Sequence, residues 1–132
     1  MTRRYARELA LQTLYSVEVG KNTPAEALEQ TLTGPSGAEH RIFVRELVYG
    51  TLEHASESDA VIAPLLRGWT LERLPTLDRL VLRMSVYELL HADDTPRAVV
   101  INEAVELAKK FSTEDSGRFI NGVLAAAGKV AP

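Results

Sequence analysis

Apolar residues recur along this chain at spacings of three and four, the period of a helix that buries one face, and no stretch alternates with the two-residue period of a strand. A first helix is predicted up to about residue 19. Thr2 stands at its cap, Ala6, Leu9, Ala10, Leu14 and Val17 form its buried stripe, and Gly20 ends it. Pro24 opens a short second helix through Leu32, and TGPSG at 33–37 is the clearest loop. A third helix spans about 39–56, with Val44, Leu47, Val48, Thr51 and Ala55 inward, Phe43 beside them, and Gly50 placed for close helix packing. Ser58 or Asp59 caps a fourth helix that closes at Gly68 and Trp69. Pro64 predicts a kink or restart inside it, and Trp69 reads as core.

The fifth helix, about 76–91, is apolar almost all round and should be the central helix of the second half. Thr95 caps the sixth, with Pro96 in its first position and Val100, Ile101, Ala104, Leu107, Ala108 and Phe111 along its stripe. Ser112 or Thr113 caps the seventh, which points Ile120, Val123, Leu124 and Ala127 inward. Asn102 and Asn121 stand in otherwise strong helices, although asparagine competes for backbone hydrogen bonds. They read as buried or half-buried amides bonded to backbone or to each other across the last two helices.

Composition narrows the function. At 132 residues the chain fits one compact domain, 1–132. It has no cysteine, which removes disulfides, thiol catalysis and cysteine-ligated zinc. No run is apolar and long enough for a membrane span, and no signal-peptide core follows the basic start, so a cytoplasmic protein is expected. Glycine-rich phosphate loops, nucleophile elbows and paired-histidine zinc motifs are missing. His40, His54 and His91 lack metal-ligand spacing and read as surface or structural, so no catalytic residue, metal or cofactor is assigned.

A net charge of −3 argues against gripping nucleic acid by bulk electrostatics. The charge is uneven, however. Arg3, Arg4 and Arg7 precede any acid and lie on two neighbouring ridges of the first helix, one of them shared with Tyr15. Guanidinium groups bind phosphates and stack on bases, although a solvated helix start has the same composition. A second cluster surrounds the turn at 115–119. Phe119 sits beside the buried stripe, with Arg118 adjacent and Lys109 and Lys110 upstream, a set suited to stacking on an unpaired base. On residue type alone, Phe119 fits the core at least as well.

Six segments together resemble the NusB family: RRYARELALQTLY from Arg3, FVRELVYG from Phe43, the helix at 59–69, LDRLVLRMSVYEL from Leu77, VINEAVELAKKF from Val100, and FINGVL from Phe119. They run in order over nearly the whole chain. The resemblance implies an all-α fold of about seven helices in two packed three-helix groupings. It also implies an antitermination factor that binds boxA RNA of ribosomal RNA leaders together with ribosomal protein NusE and promotes read-through by RNA polymerase. Carried over by position, RNA contacts fall on Arg3, Arg4, Arg7, Lys110, Asp115, Arg118 and Phe119. Tyr15 and Asp78 fall at or near the NusE interface. Tyr5 stands where many members continue the arginine run, which implies weaker intrinsic RNA affinity and dependence on the partner. Two alternatives stay open: a protein-only module, including a homodimer that hides the RNA face, and an accessory domain like that of some rRNA cytosine methyltransferases.

Overall fold

The structure is a computed structural model that describes residues 2–34 and 37–130. All regular structure in it is helical, and the chain forms two compact units, Met1–Leu52 and Glu53–Pro132. No helix among the described residues is long and apolar enough to cross a membrane. Pro35 and Ser36, in the middle of the expected 33–37 loop, lie outside the described residues.

In the first unit α1 (Arg3–Glu18) begins as expected: the Thr2 hydroxyl accepts a hydrogen bond from the Tyr5 N–H at 3.1 Å. Ala6, Leu9, Ala10, Leu11 and Leu14 are buried. Helix α2 (Pro24–Thr31) packs against α1 and starts with a full capping box. The Thr23 hydroxyl accepts from the Glu26 N–H at 3.1 Å, and the Glu26 carboxylate accepts from the Thr23 N–H at 3.3 Å. An eight-residue helix depends heavily on such a cap. Thr23→Ala should therefore lower stability by about 1 kcal/mol, read as a shift in the urea midpoint. Helix α3 (Ala38–Glu53) buries Val44, Leu47, Val48, Gly50 and Thr51. It ends three residues before the predicted residue 56, because His54 leaves helical geometry (φ −103°, ψ 19°) and Ala55 begins a new helix.

In the second unit α4 (Ala55–Ile62) gives way to a 3₁₀ turn, Ala63–Leu65, at Pro64. The predicted interruption is present, and it ends the α-helix rather than kinking it. A second 3₁₀ turn, Leu71–Arg73, leads into α5 (Thr76–His91). Helix α5 packs against α4, α6 (Arg97–Phe111) and α7 (Glu114–Val130), the central role its all-round apolar pattern requires. Leu80, Val81, Leu82, Met84 and Val86 are buried along it. Arg83 clamps α5 to α4 through two 2.8 Å hydrogen bonds to the Asp59 carboxylate. Helices α6 and α7 cross closely: a Cβ added at Gly117 would fall 2.7 Å from Lys109 Cγ. Pro96, rather than Thr95, occupies the cap position of α6, and Thr113 caps α7 by accepting from the Ser116 N–H at 3.0 Å.

Two core expectations are corrected. Trp69 is 56% exposed. Gly68, at φ 77°, turns the chain immediately before it, so the indole leaves the helix whose stripe it was expected to extend. Asn102 and Asn121 are also exposed, so they do not link the last two helices. The buried phase of α6 runs through Val100, Ala104, Leu107 and Ala108, and that of α7 through Ile120, Val123 and Leu124. Each asparagine falls off that phase.

Candidate nucleic-acid interface

The start of α1 is a concentrated positive end. Its first turn contains no acid, so Arg3 and Arg4 add to the partial positive charge of the exposed helix N–H groups. Both side chains are exposed, as is Tyr5. Arg3 places its guanidinium 4.4 Å from the Phe43 ring centroid, which holds it in place by a cation–π contact. Arg7 differs. It is 3% exposed and lies 5.3 Å from the same ring. Arg7 is thus internal, against the face of Phe43 that Arg3 also covers, while Arg3 and Arg4 face outward. Tyr15, one face further along α1, is 41% exposed and available to a partner.

The second cluster is built by the α6–α7 turn. Phe119 is half-buried. It lines two adjoining clefts, of about 490 and 270 Å³, and Trp69 lines both with it. Arg67 and Arg118 border the larger cleft, giving two aromatic rings flanked by two cations. Lys110 is exposed, with its ammonium 5.6 Å from the Phe111 ring. Asp115 and Arg118, both well exposed, form an ion pair. Asp115 therefore orients Arg118 and, being an anion, is poorly placed to meet a phosphate itself.

The turn is anchored from below. Ser116 is buried and donates its hydroxyl hydrogen bond to Asp78 Oδ2 at 3.1 Å, while the Ser112 and Thr113 hydroxyls lie 2.9 and 3.1 Å from the Ser116 oxygen. Asp78 is only 5% exposed. The carboxylate faces inward and ties α5 to the start of α7, so it positions this turn.

Sequence reasoning missed Trp69 and Arg67. A signal was present, since the positions three and four residues after the indole are the charged Glu72 and Arg73, so no apolar stripe continues past it.

The NusB family model matches residues 4–129. The transcription antitermination protein NusB of Symbiobacterium thermophilum is 48% identical, over 94% of this chain and 87% of that protein. T. maritima NusB superposes with a TM-score of 0.93 at 35% identity, covering 99% of this chain and 93% of the other. A crystal structure of the antitermination factors NusB and NusE in complex with dsRNA contains a chain that matches with a TM-score of 0.87 at 29% identity, over 96% of both chains.

Proposed function

The chain belongs to the NusB family, and on that premise we propose that it is a transcription antitermination factor, not an enzyme, that binds boxA RNA jointly with ribosomal protein NusE. The observation that carries this reading is the match over 96% of the chain to a fold seen with NusE and RNA. Within the reading, Arg3 and Arg4 neutralise phosphates at the start of α1. Phe119, with Trp69 beside it, receives an unpaired base in the cleft that Arg118 and Arg67 make positive, and Lys110 adds charge at the end of α6. Tyr15 lies at the NusE contact. Arg7 and Asp78 work one step back, the first through Phe43 and the second through Ser116. A protein of net charge −3 gains little from non-specific attraction to RNA, so a basic partner completes the grip and delivers the complex to RNA polymerase during rRNA synthesis.

The test is fluorescence anisotropy with boxA and scrambled RNA, with and without NusE. Tight, boxA-selective binding only with NusE is expected, and equal binding of both RNAs under both conditions overturns the reading. Salt sharpens it. Each phosphate neutralised on a single strand contributes about 0.7 to the slope of log K against log salt. The double variant Arg3→Ala, Arg4→Ala should therefore flatten that slope by about 1.4. Arg7→Ala should alter it far less, because Arg7 is buried.

A further inference from the structure

Within the second unit, His54, Glu57 and His91 converge where the start of α4 meets the end of α5. His54 precedes the first turn of α4, Glu57 lies within that turn, and His91 is the last residue of α5. One donor atom from each lies within 4.8 Å of the others. Both imidazoles address the same carboxylate oxygen: His91 Nε2 is 2.5 Å from Glu57 Oε1, and His54 Nδ1 is 3.8 Å from it. The shorter contact is a hydrogen bond and the longer one is not. One carboxylate oxygen thus has two imidazole nitrogens aimed at it and is bonded by one. The two imidazoles lie with centroids 4.3 Å apart, tilted by 40°, and Tyr87 lies 5.2 Å from His91 and 5.6 Å from His54, so both rings are packed against the same neighbour.

We propose that His54, Glu57 and His91 form a binding site for a divalent transition-metal ion of the zinc class. Ligand atoms around a tetrahedral zinc with bonds near 2.0–2.1 Å lie about 3.3 Å apart. The two separations to the carboxylate oxygen, 2.5 and 3.8 Å, fall on either side of that value, so small rotations of surface side chains close the site. Two imidazoles and one carboxylate select zinc, copper or nickel over magnesium or calcium, which prefer all-oxygen shells. All three side chains are between a third and a half exposed, which gives the ion an entry path and leaves the fourth position to water. The bound ion would join the start of α4 to the end of α5, beside the Arg83–Asp59 clamp that already pairs these helices. The site is independent of the RNA reading and uses none of its residues.

Titration of the untagged full chain with ZnCl₂ by calorimetry, and with CoCl₂ by visible absorption, tests this. One ion per chain is expected, with a cobalt spectrum of low coordination number and a rise in Tm on adding zinc. His54→Ala, His91→Ala and the milder Glu57→Gln should each weaken binding by at least about tenfold, since loss even of an outer-shell partner costs that much. His40→Ala should leave it unchanged. The proposal is overturned if the wild-type chain takes up no stoichiometric zinc. It is equally overturned if Glu57→Gln, folded by circular dichroism, binds zinc as the wild type does.

Discussion

Truncating Phe119 to alanine should weaken boxA binding in the presence of NusE by about 1–3 kcal/mol, roughly 5- to 150-fold, the loss of one base–aromatic stack. The ring is half-buried, so the same change also removes packing against α7's neighbours, and the binding loss needs separating from a folding loss. Phe119→Leu does this. It refills most of the apolar volume but presents no π-face, so binding should fall nearly as far while Tm stays close to that of the wild type. If Phe119→Leu binds boxA as the wild type does, the stacking role is wrong and the ring is only packing.

The largest stability effect is expected at Leu82. It is fully buried in α5, the helix on which α4, α6 and α7 all rest. Leu82→Ala should cost about 2–5 kcal/mol, combining lost transfer energy with the cavity left between helices that cannot collapse together. Against a total of about 5–15 kcal/mol for a domain, that is a large fraction. Urea unfolding followed by circular dichroism should show a lower midpoint for the second unit. A change below about 0.5 kcal/mol, the size of an ordinary surface substitution, contradicts the central role assigned to α5.

Helix identity was legible because the 3.6-residue period is a local property: α5, α6 and α7 lie close to where their stripes put them. What was misread depends on neighbours that periodicity does not see. Trp69 was assigned by size, yet one left-handed glycine before it redirects the chain. Asn102 and Asn121 were assigned by type, and their helical phase decided otherwise. Arg7 and Arg3 share a ridge of α1 and both lie on the Phe43 ring, but one turn of rise carries Arg7 from the solvated end into burial. The burial of Asp78 could not be read locally, because its partner Ser116 stands 38 residues later. His54 and His91 were judged isolated from their spacing, yet packing of α4 on α5 closes that distance.

The outward Trp69 has a further consequence. It is the sole tryptophan in the chain. All indole emission of the protein therefore originates beside Phe119 and Arg118, at the mouth of both clefts. The protein carries a native optical reporter of this one face, whose colour and quenching follow whether water, a nucleobase or another chain lies against it.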